Sequence, residues 1–301
     1  MKKGLLALLI LFAFADVFAQ QDAQFIGYRQ NGLVINPAYA GSREVGSLMA
    51  YYRTQWVNID SAPKTFSTSI HGAVKNVGLG LWIENDRVNI HSRTYIMTSY
   101  AYRIKINKGK LSLGLQAGLM HNNSLLTEIE NVAVGDNLLA NDQSKWLPNF
   151  GLGVFYYTNR TYIGFSIPHL IESSLLDKDL TAENIWVRHY FATIGTVINA
   201  GSNLKLKPTA LLKMVKNAPV SADIGLSFLF DNKFDVGVNY RWKESLDFLF
   251  SWQINRNLMF GYGFDFTLSS VSKPWYGGTH DVFVRYEFGF MKEKVVTPRY
   301  F

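Results

Sequence analysis

The chain contains no cysteine. That absence excludes a disulfide framework, thiolate metal sites, a cysteine nucleophile and any anchor built on a lipidated cysteine, so a bacterial lipoprotein is ruled out. Charge is scarce too. Asp, Glu, Lys and Arg make up 18% of the 301 residues against 48% hydrophobic residues, a balance that argues against a disordered chain. The formal net charge of +7 is spread along the sequence without a run of five like charges, so no nucleic-acid arm is present and nucleic acid is not an expected partner. No stretch beyond the first residues approaches the length of a transmembrane helix. The excess lies in aromatics, with 7 Trp, 16 Tyr and 21 Phe.

Lys2 and Lys3 precede an apolar stretch from Gly4 to Ala15, and Val17-Phe18-Ala19 follows as a small-x-small site. This pattern predicts a secretory signal peptide over residues 1–19, cleaved between Ala19 and Gln20. The stretch is shorter than the ~20 residues a spanning helix needs and is interrupted by Asp16.

The rest of the chain alternates with period two. Leu258, Phe260, Tyr262, Phe264 and Phe266 share one face, and Met259, Gly261, Gly263 and Asp265 the other. Val282, Val284, Tyr286, Phe288 and Phe290 oppose Asp281, Arg285, Glu287 and Gly289 in the same way. Leu111 to Leu119 and Ala222 to Phe230 repeat the split, and a helical period fits none of these segments. About fourteen strands follow, starting near Gly46, Lys64, Val77, Ser92, Lys110, Asn149, Thr161, Arg188, Leu204, Val220, Phe234, Leu246, Leu258 and Thr279. Every second link is a tight polar turn, at Lys75-Asn76, Asn107 to Gly109, Asn159-Arg160, Asn199 to Asn203, Asp231 to Lys233 and Asn255 to Asn257. The intervening links are generally longer, above all Asn122 to Pro148 and His169 to Val187.

Short turns at one end, long loops at the other and an even strand count predict an all-β fold, a transmembrane antiparallel up-and-down β-barrel of about fourteen strands in the cell outer membrane. Alternation alone also fits a soluble sandwich or propeller. Lipid is favoured because Gly and small polar residues dominate the opposite face, Trp and Tyr cluster toward strand ends, and a secretory signal delivers the chain there. The expected organisation is a signal at 1–19, an N-terminal plug or periplasmic segment at 20–45, the barrel at 46–290 and a tail at 291–301.

Little points to catalysis. His71, His91, His121, His169, His189 and His280 lie far apart without metal-ligand spacing. His280-Asp281 and His121 with Ser124 are the only tempting neighbours, and neither sits in a nucleophile elbow. The Gly78-Leu79-Gly80, Gly151-Leu152-Gly153 and Gly261-Tyr262-Gly263 runs lie inside strands with no following helix, so they read as small lumen-facing residues rather than phosphate loops. Asp177-Lys178-Asp179 lacks the further oxygen ligands of a calcium loop. No catalytic residue, cofactor or metal is expected.

The segment before the first strand differs from a linker. Asn31-Gly32 and the run Asn36, Pro37, Ala38, Tyr39, Ala40, Gly41, Ser42 are turn-rich, yet Leu33-Val34-Ile35 and Tyr39 are apolar. A ring of about fourteen strands leaves a lumen too wide for side chains alone to fill, so this segment is expected to fold into the barrel mouth as a plug.

Asn-Pro-Ala-Tyr-Ala-Gly-Ser at 36–42 resembles the N-terminal signature of the PorP/SprF membrane proteins of the type IX secretion system of Bacteroidetes. Arg53 to Trp56, Ala62-Pro63-Lys64, Val77 to Gly80, Tyr100 to Arg103, Phe150 to Tyr157, Ser166 to Pro168, His189 to Phe191, Leu204 to Lys213 and Gly277 to His280 continue the resemblance in order. The loop Asn122 to Pro148 and the tail Met291 to Phe301 match nothing in that pattern. The resemblance implies a non-enzymatic outer-membrane barrel that works with the type IX apparatus, either as a core component linked to its periplasmic ring or as a dedicated partner for one secreted surface protein, such as a gliding adhesin, that it helps to export or hold. Its partners are then outer-membrane lipid, type IX components and that cognate secreted protein. A second family, the fatty-acid uptake barrels, resembles the chain in strand number and in an Asn-Pro-Ala near the N-terminus. It implies a transporter of hydrophobic compounds.

Overall fold

A computed structural model describes residues 25–128, 142–172, 187–216, 218–268 and 277–289. The signal peptide with its Ala19-Gln20 cleavage site, Asp177 to Asp179 and the tail from Met291 lie outside the described residues. Among the described residues fifteen strands occur, in chain order β1 (Gly46–Thr54), β2 (Lys64–Val74), β3 (Val77–Val88), β4 (His91–Ile106), β5 (Gly109–Ser124), β6 (Gln143–Tyr157), β7 (Thr161–Ile167) and β8 (His189–Thr196). These are followed by β9 (Ile198–Asn199), β10 (Leu204–Val215), β11 (Ser221–Phe230), β12 (Phe234–Arg241), β13 (Ser245–Gln253), β14 (Leu258–Thr267) and β15 (Thr279–Phe288).

All pairings are antiparallel between sequence neighbours, and β15 returns to pair with β1 from Gly46↔Phe288 to Thr54↔His280. The wall is therefore a closed barrel of fourteen strands. The extra two-residue β9 prolongs β8 past Val197, pairing Asn199 with Lys205. Closure leaves no free sheet edge at the seam, which is what a strand-built membrane wall requires, because lipid offers no hydrogen bonds to a bare backbone.

Burial separates the two faces as the alternation predicts. On β14, Phe260, Tyr262, Phe264 and Phe266 point outward while Met259, Gly261, Gly263 and Asp265 are buried; on β15, Val282, Val284 and Tyr286 point outward while Asp281, Phe283 and Arg285 are buried. The exposed face is the apolar one over the whole circumference, including Leu79, Leu115, Phe150, Ile224, Val238 and Phe248. A water-soluble barrel could not present such a band.

Thirteen of the predicted strand starts fall within one residue of the observed ones. The exception is β6, which begins at Gln143 rather than near Asn149. The expected loop Asn122 to Pro148 is correspondingly wrong in its bounds: β5 continues to Ser124 and pairs with β6 through His121↔Trp146 to Ser124↔Gln143, so the connection covers 125–142. Sixteen residues of β4 or β5, tilted as barrel strands are, rise roughly 40 Å, beyond an apolar band of about 25 Å. Their tops stand in water, polar on both faces, and alternation disappears there. The link between β3 and β4 also departs from the alternating rule, being only Asn89-Ile90, with Asn89 at φ 53°.

Candidate functional site

Residues 25–45 lie inside the barrel, apart from Glu44, which is exposed at its rim. A turn at Gly27 to Asn31 leads into one helical turn, α1 (Gly32–Ile35), and then a 3-10 turn, Pro37–Tyr39. Asn36 organises this run. Its Oδ1 accepts from Ala38 N at 2.9 Å, and its Nδ2 donates to Val154 O at 3.1 Å and Phe165 O at 3.4 Å, tying the segment to β6 and β7. Pro37 opens the 3-10 turn, where a missing N–H is harmless. Gly41 has φ +71°, a region L side chains avoid, and a Cβ there would stand 2.8 Å from Gly78 Cα.

The wall is shaped to receive this run. A Cβ on Gly78 would overlap the Ala40 carbonyl, one on Gly114 the backbone of Ala38, and one on Gly153 the Asn36 amide. Gly80 faces Leu33 and Gly263 faces Ile26. These five strand glycines, Gly78, Gly80, Gly114, Gly153 and Gly263, are thus a mould for the segment, whereas Gly118, Gly151 and Gly261 make room for the wall's own Met97, Pro168 and Phe283. Tyr39, 4% exposed, sits edge-on to His71 and Phe155 at 5.3 and 5.6 Å. Arg103 Nη1 donates to Gly41 O at 2.7 Å and Gly41 N to His71 Nδ1 at 3.2 Å. Asn36 to Gly41 are buried and Ser42 is half-buried.

Further anchors run round the circumference. Ser69 donates to Asn31 on one side, Ser166 donates to the Ile35 carbonyl at 2.8 Å on another, and Arg29 Nη1 donates to Ser227 Oγ at 2.9 Å on a third. Arg43 pairs with Glu287 at 2.6 Å near the short-turn rim, where Glu44 meets Lys110. Phe25, Ile26, Leu33 and Ile35 are buried; at ~1.5–3 kcal/mol for each such side chain, their burial outweighs single hydrogen bonds at ~1 kcal/mol. The hydrogen bonds fix register; apolar burial holds the segment in.

Above the segment, in the long-loop half of the lumen, lies a charged network that sequence reading did not identify. Arg53 Nη1 bonds Asp281 Oδ1 at 2.9 Å and Arg53 Nη2 approaches Asp265 at 3.5 Å. Arg241 reaches Asp223, Asp247 and Asp265 at 3.3, 3.5 and 3.6 Å. Asp281 also accepts from the Tyr51 hydroxyl and, at 2.9 Å, from Ile26 N, so the network grips the segment. Only inward parity and a polar side chain near a strand end mark these residues in sequence; their pairing requires the closed register.

Between the segment and this wall is a cavity of about 50 Å³, floored by Phe25, Tyr28, Val34 and Ile35 and walled by Trp82, Tyr95, His169, Lys213 and Arg241. His169 enters the lumen just past β7, its ring 5.1 Å from Tyr95.

The suspected dyads are not assembled. His280 faces outward with the Tyr262 hydroxyl at 2.6 Å, whereas Asp281 faces inward. His121 pairs with Ser144, and Ser124 pairs with His91, both at 2.8 Å. Among the described residues no group of three or more His, Asp or Glu is placed to hold a metal ion.

Comparison with known proteins bears on this arrangement. The sequence profile of the type IX secretion system membrane protein PorP/SprF matches residues 17–286. No curated protein matches the chain. Among solved structures, the outer membrane protein Omp33 of Acinetobacter baumannii is 8% identical, with 81% of this chain and 98% of that chain covered and a TM-score of 0.48. The CymD monoaromatic hydrocarbon channel is 11% identical, with 90% and 95% covered and a TM-score of 0.48.

Proposed function

The chain belongs to the PorP/SprF family of type IX secretion system membrane proteins, and on that premise we propose that this outer-membrane barrel works without enzymatic chemistry, assisting the export or surface attachment of one cognate secreted protein such as a gliding adhesin. The observation that carries the reading is the filled lumen. A barrel whose interior is occupied by its own residues 25–45, bonded to Asp281, Ser69, Val154, Ser166 and Ser227, is suited to presenting its long-loop end rather than to conducting solute. The segment acts as a plug, and the Asn36 to Ser42 signature is its moulded centre.

The alternative reading, a transporter of hydrophobic compounds, draws on one feature, the cavity with the apolar floor of Phe25, Tyr28, Val34 and Ile35. That floor is the plug itself, so the cavity ends blind.

Gene deletion in the native host tests the choice. Loss of one or a few large surface proteins from the cell, with nutrient uptake intact, is the expected result. Retention of every surface protein with lost growth on a hydrophobic nutrient would transfer the assignment to transport.

A further inference from the structure

We propose that the short-turn rim is a binding belt for anionic phospholipid headgroups of the periplasmic leaflet. Five of the six short turns carry a cation, Lys75, Lys108, Arg160, Lys233 and Arg256, and near the sixth stands Lys205, the second residue of β10. The five in turns are exposed, and Lys205, half-buried, bonds Asn232. Acidic residues are few at this end among the described residues: Glu44 is engaged by Lys110, Glu287 by Arg43, Asp235 by Lys207 on the lumen face, and Asp231 stands beside Lys233. At the opposite rim both signs interleave, with Asp60, Asp86, Asp142, Glu172 and Glu244 among the basic residues.

The level of these charges identifies the ligand. Each cation lies within a few positions, along the strand or across the pair, of an outward-facing exposed apolar residue, namely Val74, Ile106, Ile163, Ile198, Phe234 and Ile254. Lys and Arg at the edge of an apolar band lay their stems along it and hold their heads at the phosphate level. The cations also encircle the barrel instead of gathering on one side. A docked protein covers an arc; a lipid leaflet surrounds the ring. Short turns face the periplasm in outer-membrane barrels, and basic clusters at a membrane surface attract anionic lipid.

The test uses the full-length protein in nanodiscs of equimolar phosphatidylglycerol and phosphatidylcholine, with bound lipid counted by native mass spectrometry. The expected result is retention of phosphatidylglycerol over phosphatidylcholine by roughly fivefold or more, falling to near parity when Lys75, Lys108, Arg160, Lys233 and Arg256 are all replaced by Gln. These side chains lie in exposed turns, and the heat-modified gel shift verifies that the variant is folded. Replacing Lys64, Lys145, Lys216 and Lys243 by Gln at the other rim should leave the preference in place. Equal retention of both lipids, a preference that survives the five substitutions, or displacement of phosphatidylglycerol by lipid A would overturn the proposal. So would a belt variant that keeps its phosphatidylglycerol preference but loses a co-purifying acidic periplasmic protein.

Discussion

Arg53 on the first strand and Asp281 on the last are register partners across the seam that closes the barrel, and Arg53 Nη1 lies 2.9 Å from Asp281 Oδ1. Both are buried, so the pair is worth little compared with an apolar substitute, but breaking it strands a charge. Asp281→Asn leaves Arg53 facing only Asp265 and weakens the acceptor of Ile26 N. A loss of about 3–5 kcal/mol is expected, read as a lower guanidinium midpoint of the detergent-solubilised barrel. An unchanged midpoint would show the seam pair to be dispensable.

The glycine mould gives a second prediction. Gly114→Leu places a side chain where Ala38 sits, while the outer wall is untouched. The barrel should still assemble, and, if the segment plugs the lumen, planar-bilayer recordings should turn from silent to conducting as it loses its seat. A folded variant as silent as the wild type would mean that the lumen is blocked by something else.

Face assignment is open to spectroscopy. Spin labels at 284 and 286 should be reached by oxygen dissolved in lipid, and labels at 285 and 287 should not. Val284→Arg, on the lipid face, should cost ~2–4 kcal/mol if near the midplane. Accessibility in the reverse order would invert every strand.

Shortening the 125–142 connection to a Gly-Ser turn tests presentation by the long-loop end. Since β5 and β6 stay paired up to Ser124↔Gln143, the barrel should form. Release of the cognate surface protein into the medium is the expected phenotype, because binding function concentrates in loops. Intact attachment would remove this loop from the binding surface.

Maturation is checked by intact mass. The purified protein should begin at Gln20; a mass that retains Met1 would refute the proposed cleavage.

The wall was legible in the sequence because a two-sided strand writes its faces into alternate residues, as at Leu258 to Thr267. Legibility failed where that physics lapses. Ser144 and Lys145 of β6 pair with Asn123 and Asn122 of β5 in water, where neither face need be apolar, so the strand read as a loop. The turn at Asn89 reverses the chain without glycine. Arg53 and Asp281 stand 228 positions apart, and no local pattern says that they meet. For the segment, Asn36 to Ser42 announced turns and buried aromatic surface; which glycines receive it became evident only when Gly78, Gly114 and Gly153 were brought to the same wall.

The interior segment also constrains the order of assembly. It precedes β1 in the chain, yet its contacts extend to the final strand through Ile26 with Asp281 and Arg43 with Glu287. If the open sheet curls around the segment, joining β15 to β1 completes the ring and locks the core in one step, with Arg29 already seated against Ser227 deep in the lumen. The segment is then a mandrel on which the barrel is wound, and a chain lacking it would have to close around water.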